Sequence, residues 1–471
     1  MLFLPELSLL GAGLILFIFS LGNPSSEKMK AAAVSLASVT LIASLLSINS
    51  AGSLFYDAYQ VNFFTQLFKT LIACATLIVI IFCNKHDGID KHIQPEYYLF
   101  MFMSVLGLMT LVSSVELIGI FISLELSSFA VYIMVPMRRN IGQTNNQNEA
   151  GIKYLLYGVV ATGFMLFGMS YIFGLTGSTK LSVIATQLGQ MYNQPVAIVG
   201  ITLVLAGFFY KLALFPFHFW VPDVYEGAAN ETTAFIAVVP KLAAVAVLIR
   251  LVSLISGEGE IIVNVLMICA VLSMLYGNLS ALVQTDVKRL LGFSGISHAG
   301  FVLVGLLTFT VQSYATAFYY ISGYVFMNLA CFLVICTISE KGKNVSIEDF
   351  TGLHKRAPLL ALTLTIGLFG LAGIPPFVGF AGKFMLLLGA LKQGHLFLVI
   401  LAAFNTAIAI YYYLSIVRVT FCTDSEDRST ITTGFTTKAL SFLLIFVIVI
   451  MGVIPSAFIN LATTAVQTIL Q

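Results

Sequence analysis

The sequence predicts an all-α polytopic membrane protein with about fourteen transmembrane helices, two of them broken, and three observations carry that expectation. Of the 471 residues 59% are hydrophobic and 9% are charged, where soluble domains carry roughly a quarter. Mean hydropathy is +0.99. The apolar residues gather into runs of roughly 17 to 25, the length that spans hydrocarbon, and lysine and arginine fall mainly in alternate loops.

The first run, 2–21, has no basic residues ahead of it and is long enough to span, so it reads as a retained first helix rather than a cleaved signal. Runs at 29–49 and 61–83 complete an N-terminal three-helix segment, 1–96. Spans at 97–113, 115–136, 150–175, 195–219 and 231–253 form a five-helix unit, 97–257, with a short helix within 181–190 in the loop after the sixth. Spans at 260–282, 288–309, 312–338, 358–388 and 394–420 form a second unit, 258–420. A last span at 438–457 lies in the C-terminal portion, 421–471.

The two units read as inverted repeats. The seventh span holds Lys211 and Pro216, the twelfth holds Pro375, Pro376 and Lys383, and an offset of five helices inverts topology. A proline break frees backbone groups that hydrocarbon cannot satisfy, so each break must line a hydrated cavity or lie inside protein.

Loops after odd-numbered spans carry Lys28, Lys30, Lys85, Lys91, Arg138, Arg139, Lys288, Arg289, Lys341, Lys343, Lys355, Arg356, Arg418 and Arg428. Loops after even-numbered spans hold little beyond Lys180 and Lys392, which places both termini outside. The segment VPDVYEGAANE after the seventh span is the exception, carrying only acids. With a net charge of +2 and no basic patch, nucleic-acid binding has no footing. The cysteines Cys74, Cys83, Cys269, Cys331, Cys336 and Cys422 form no CxxC pair, so they read as packing residues, not metal ligands or disulfides.

The chemistry lies in charges placed where they are expensive. An ionisable side chain at mid-bilayer costs roughly 2.5–3.5 kcal/mol even on lenient scales, which makes it a functional candidate. Glu125, Lys211, Lys241, His298 and Lys383 each interrupt a separate apolar span and together suggest a line of titratable groups. Glu125 and Lys211 are the natural ion pair; at ~4 Å and an effective dielectric of ~20 they would interact by about 4 kcal/mol. Opening such a pair releases a proton on the scale of a membrane potential of roughly 150–200 mV. Lys241 follows Pro240 and is placed to accept a proton from Lys211, or to bond freed carbonyls. His298 suits either a relay or satisfied packing. Lys383 resembles an exit-side gate.

Glu116, near the start of the fifth span, and Lys153, at the start of the sixth, read as snorkelling residues, with a modulating role beside Glu125 and Lys211 open for Lys153. Lys69 reads as an interface or subunit-contact lysine. His218, beyond the Pro216 break, lines an access path or caps it. There is no phosphate-binding glycine loop, no GxSxG turn and no histidine pair for haem, so redox chemistry is expected elsewhere.

The segments EAGIKYLLYG, KLALFPFHFWVPDVYEGA, QTDVKRLLGFSGISHAGFVLVG and LAGIPPFVGFAGKF resemble the antiporter-like membrane subunits of proton-pumping NADH:quinone oxidoreductase, respiratory complex I, most of all the subunit N (subunit 2) branch. The resemblance is strongest from Glu116 to Lys383. Lysine at Lys383 sets the chain apart from the subunit M pattern, and the lack of a long lateral helix after the last span from that of subunit L. By motif, the resemblance implies a proton path on Glu125, Lys211, Lys241, His298 and Lys383. It also implies location in a bacterial inner membrane and partners among other membrane-arm subunits, the antiporter-like M and L and small subunits such as K and J. FMN, iron–sulfur clusters, NADH and quinone would be held by other subunits, with no cofactor or metal on this chain. The segment EGAANETT departs from the family's usual EGAP. A subunit of a multisubunit Na⁺/H⁺ antiporter of the Mrp type shares fold and lysine pattern and is the alternative. In a further class, a structural membrane-arm subunit, the charges would serve assembly alone.

Overall fold

Backbone amides and carbonyls in hydrocarbon have no water to bond, so apolar runs of this length must form helices. The structure is a computed structural model and describes residues 1–22, 24–82, 88–139, 146–189, 191, 194–254, 260–422 and 429–470. Cys83, Lys85 and Arg428 lie outside the described residues. Three helices, α1 (Leu4–Ser20), α2 (Ser26–Leu46) and α3 (Phe63–Phe82), form the N-terminal segment, with a hairpin of β1 (Gly52–Leu54) and β2 (Tyr59–Val61) between the last two. Next come α4 (Gln94–Ser113), α5 (Leu117–Met134), α6 (Asn146–Thr176), the short α7 (Leu181–Leu188), α8 (Pro195–Leu212), α9 (Val221–Gly227) and α10 (Asn230–Leu254). The second unit holds α11 (Glu260–Ala281), α12 (Val287–Leu306), α13 (Val311–Ile338), α14 (Leu353–Arg356), α15 (Pro358–Ala372), α16 (Val378–Lys392) and α17 (Leu396–Cys422). The chain closes with α18 (Phe435–Val453) and α19 (Pro455–Leu470).

Among the described residues twelve helices are long and apolar enough to cross a membrane. The shorter apolar helices Leu4–Ser20 and Pro358–Ala372 fall on the expected first span and the first half of the twelfth. Several elements were not anticipated, among them α9, α14, the hairpin and α19. The hairpin is too short to register as alternation, and α19 mixes threonine and asparagine with its apolar residues. Asn62 Nδ2 donates to Thr468 O at 3.4 Å, so the C-terminal helix packs on the start of α3 and both ends of the chain share one face.

The two breaks are built alike. At the first, Ala213 turns left-handed (φ 63), its N–H bonds Tyr210 O at 3.1 Å, and the Leu214 N–H reaches Phe209 O at 2.8 Å. At the second, Gly373 (φ 84) bonds Gly370 O at 3.0 Å, and the Ile374 N–H reaches Phe369 O at 3.0 Å. Phe217 to Leu214 and Phe377 to Ile374 continue the match at 2.7 and 3.2 Å, and Pro216 and Pro376 both follow cis bonds. A left-handed residue ends a helix and proline supplies no donor to continue it, so each span becomes two half-helices. The same bonds at the same offset are what a repeated unit requires.

The lysines are not equivalent within this match. Lys211 lies in the last turn of α8, ahead of its break, whereas Lys383 lies on α16, after its own. Helices α10 and α12 are buried along nearly their whole length, while α2, α6, α17 and α18 bury about a third of theirs. The titratable residues Lys241 and His298 therefore occupy the two most buried of these helices.

Candidate functional site

Lys241, 1% exposed on α10, donates from Nζ to the Tyr324 hydroxyl on α13 at 3.0 Å and lies 5.1 Å from the centre of its ring. Gly295 makes this contact possible: a Cβ there would stand 2.8 Å from Lys241 Nζ and 2.9 Å from the Tyr324 oxygen. His298 on α12 has its ring centre 5.1 Å from that of Tyr324. Its Nδ1 pairs with Tyr320 OH at 2.6 Å and its Nε2 with Tyr413 OH at 3.2 Å. Lys383 donates to Leu371 O at 2.9 Å and Ala372 O at 3.2 Å, carbonyls at the end of α15 that the break leaves short of helical partners. Its ammonium also lies 5.0 Å from the Phe301 ring centre.

These contacts join three basic groups across both units, and both lysines act electrostatically on the His298 ring. Among the described residues no ion pair to a carboxylate involves any of the three. Two like charges ~10 Å apart at an effective dielectric of ~20 repel by about 1.7 kcal/mol, so a proton arriving on one group weakens the hold of its neighbours. A second polar chain adjoins the cluster, Tyr412 OH to Asn278 Oδ1 at 3.0 Å and Asn278 Nδ2 to Asn405 Oδ1 at 3.1 Å.

Glu125 and Lys211 are arranged differently from the expected contact pair. Glu125, partly exposed on α5, accepts from Thr162 Oγ1 at 2.7 Å. Lys211, 3% exposed, has no hydrogen-bond partner for Nζ among the described residues. Glu125 attracts it electrostatically, yet no ion pair within 4.0 Å joins them. The carboxylate is held toward α6 by the threonine, which sequence spacing does not reveal. No hydrogen bond among the described residues links Lys211 to Lys241; the partner of Lys241 is in the other unit. His218 is wholly buried at the first break, its ring centre 4.3 Å from those of both Phe219 and Tyr276, and neither nitrogen has a hydrogen-bond partner among the described residues.

Lys153 lies at the start of α6, as expected of a snorkelling lysine, but away from contact with Lys211. It pairs with Glu149 at 2.7 Å and Asp223 at 2.6 Å; Arg289 pairs with Asp223 at 2.9 Å and Glu226 at 2.6 Å. Burial alone would raise the Asp223 carboxyl, but the hydrogen bonds from Lys153 and Arg289 outweigh it and hold the group below its ordinary value. Arg138 Nη1 donates to Glu226 O at 2.7 Å and Lys288 Nζ to Ala228 O at 2.8 Å. The acidic loop that breaks the charge alternation is therefore clasped by cations from α6, α12 and the end of α5. Its EGAAN wording forms a compact link into α10.

Lys69 is a correction. It is fully buried and pairs with Glu6 at 2.7 Å, so it is no interface lysine. The sign of this in the sequence was Glu6, an acid in the first apolar span, whose partner only tertiary packing identifies. Glu116 sits at a helix start, as expected, accepting from Thr179 Oγ1 at 2.7 Å. Tyr320, Tyr324 and Tyr413 were missed because tyrosine in an apolar span ordinarily packs; the signal was hydroxyls clustered in AFYYISGY and YYY on neighbouring spans. Cys74, Cys269, Cys331, Cys336 and Cys422 are free thiols.

Comparison with known proteins gives matches over nearly all of the chain. A family model described as NADH:quinone oxidoreductase/Mrp antiporter, TM, matches residues 114–409. NADH-quinone oxidoreductase subunit N 2 of Opitutus terrae is 49% identical over 468 residues, 99% of this chain and 98% of that one. Among solved structures, a chain of respiratory complex I from Thermus thermophilus with bound aureothin is similar with a TM-score of 0.84 at 28% identity, covering 98% of this chain and 99% of that one. A chain of the Mrp complex from Dietzia sp. DQ12-45-1b has a TM-score of 0.87 at 19% identity, covering 99% and 96%, a likeness of fold alone.

Proposed function

The chain belongs to the NADH:quinone oxidoreductase/Mrp antiporter membrane-subunit family, and from that premise we infer how it works. It is a proton-translocating membrane-arm subunit of NADH:quinone oxidoreductase, of the subunit N type. The proton path we propose runs along Glu125, Lys211, Lys241, His298 and Lys383. The observation that carries it is the group of three bases, Lys241, His298 and Lys383, set on and around the innermost helices and linked to tyrosine hydroxyls and freed carbonyls. Three neighbouring bases with no carboxylate paired to them among the described residues are poorly suited to holding a fold together, since each added charge repels the others. They suit passing a proton onward.

In this reading Tyr324 steadies the protonated form of Lys241, the histidine between two phenols exchanges a proton through either ring nitrogen, and Lys383 holds its proton against two backbone carbonyls. Glu125 and Lys211, attracted but not in contact, form the adjustable pair. Drawing them together favours charge on both, and parting them pushes a proton along the line. The acidic loop and its cations tie the start of α6 to α9 and α12, and so link that pair to the central cluster. Lys153 serves this junction, and His218 lines the first break.

The family relation also supports partners. Structures similar to this chain come from complex I assemblies, so other membrane-arm subunits adjoin it. We place antiporter-like M and L and small subunits such as K and J among them. FMN, iron–sulfur clusters, NADH and quinone are assigned to other subunits, leaving this chain without a redox site or metal. The proposed location is a bacterial inner membrane. The face bearing the termini is taken as the outer one, because Arg138, Lys288, Arg289, Lys341 and Lys343 gather opposite.

Gentle affinity purification of the tagged chain, with partner identification and an NADH:quinone reductase assay, tests this reading. Recovery of flavin and iron–sulfur subunits with that activity is expected. Recovery of small membrane proteins alone, with sodium-dependent exchange and no NADH oxidation, would move the chain to the Mrp class.

A further inference from the structure

Glu6 on α1 and Lys69 on α3 form an ion pair at 2.7 Å with both side chains fully buried. Tyr59, on the hairpin, bridges it: its hydroxyl donates to Glu6 Oε1 at 2.6 Å and accepts from Lys69 Nζ at 3.1 Å. The other carboxylate oxygen, Oε2, is buried and has no hydrogen-bond partner among the described residues. From α4, the Ser113 hydroxyl faces Tyr59. From α10, Arg250 is 4% exposed, donates Nη1 to Ser114 O at 2.9 Å, and leaves Nη2 without a hydrogen-bond partner among the described residues. Arg250 acts electrostatically on both Tyr59 and Lys69. From α2 the nearby Thr40 contributes only a hydroxyl, bonded by Ser8.

A buried ion pair is seldom a net gain in stability over apolar side chains of similar volume, so this one calls for another use. A cleft of about 440 Å³ opens on the face of the termini, lined by Ser53, Asp57, Gln60, Lys180 and Ser182, and it reaches Arg250. Gln60 is the chain neighbour of Tyr59. The cleft thus ends on the guanidinium that acts electrostatically on Tyr59 and Lys69, while Glu6, Tyr59 and Lys69 are not among the residues that line it.

We propose that Glu6, Tyr59 and Lys69 form a second proton-holding site, which releases its proton to the face of the termini through the cleft that ends on Arg250. This rests on the proton-translocating reading above. The Lys69 ammonium gives a proton to the Tyr59 oxygen while the Tyr59 hydroxyl gives its own to Glu6, leaving a neutral amine, a phenol and a carboxylic acid. Glu6 then gives that proton up toward the cleft, where water takes it, and the fixed charge of Arg250, which lines the cleft, balances the carboxylate left behind. Reprotonation of Lys69 from within the bundle restores the pair. Arg250 and Lys241 share α10, so the helix that carries the central line also carries the guanidinium beside this site.

Proton pumping by the intact complex in liposomes, read with a lumenal pH dye, tests the proposal with Tyr59→Phe, which keeps the ion pair and removes the bridge. The expected result is assembled complex whose pumping rate falls roughly tenfold, the factor one hydrogen bond to a charged group is worth. The double variant Glu6→Gln/Lys69→Met, neutral and close in volume, is expected to assemble and to lose the dependence of pumping on pH at the face of the termini. Wild-type pumping by Tyr59→Phe, or an unchanged pH profile in the double variant, would overturn the site and leave the pair as a clamp. Lys241→Ala in the same assay separates the two failures. If it pumps normally the translocation reading itself fails, and if it alone is impaired only this second site fails.

Discussion

Tyr324→Phe removes the oxygen that Lys241 Nζ meets at 3.0 Å and leaves the ring in place. A hydrogen bond to a charged group contributes about 1.5–3 kcal/mol, while the ring face retained by phenylalanine, 5.1 Å away, keeps an attraction of ~0.5–2 kcal/mol. The loss taken at the lower end, about 1.5 kcal/mol, is a little over tenfold in the protonation equilibrium of Lys241. If that form carries the proton toward His298, pumping by the reconstituted complex falls by the same factor, with assembly on native gels unchanged. Gly295→Ala should act in the same direction, since its Cβ would meet both Nζ and the phenol oxygen inside 3.0 Å. The two changes strike one contact, so the double variant should lose less than the sum of the singles. Wild-type pumping by assembled Tyr324→Phe complex would refute the reasoning.

Other changes probe the surrounding structure. Gly373→Ala should cost ~1–2 kcal/mol, because φ is 84 there, and crowd Lys383, whose Cδ would lie 3.1 Å from the new methyl; lower thermal stability and slower pumping are the readouts. Thr162→Val removes the 2.7 Å hydrogen bond to Glu125 and should free the carboxylate to approach Lys211, altering the pH profile of pumping without loss of assembly. The Asp223 carboxyl is held below its ordinary value in the fold, so its stabilising effect is full at neutral pH and fades as pH falls below about 4 toward the folded value. Asp223→Asn should lower the unfolding temperature at pH 7, by an amount set by partly exposed pairs worth ~1 kcal/mol or less each, and the gap should close on acidification.

Much of the architecture was legible because hydrocarbon imposes length and proline imposes breaks. The spans, the short helix at Leu181–Leu188 and the broken seventh and twelfth spans follow from those two rules. What stayed hidden is what tertiary packing decides. The sequence singles out Lys241 and His298 by their surroundings, but their tyrosine partners come from α13 and α17, far along the chain. Glu125 and Lys211 looked like a closed pair because opposite charges in hydrocarbon attract; Thr162, one helix away, satisfies the carboxylate instead. Lys69 looked peripheral because it lies outside the repeats, and its partner Glu6 sits near the start of the chain. The match of the two breaks was visible in the prolines, as was the order of lysine and proline, Lys211 ahead of Pro216 and Lys383 after Pro376, while the left-handed turns at Ala213 and Gly373 emerged only from the structure.

The central claim is that protons pass along the buried bases of this chain. Its most direct test is the number of protons pumped per NADH oxidised by complex carrying Lys241→Ala, measured in sealed liposomes after assembly has been verified. The account predicts a lower ratio than the wild type, or, where coupling is tight, slowed NADH oxidation that recovers when the membrane is made leaky to protons. An unchanged ratio at an unchanged rate would contradict it.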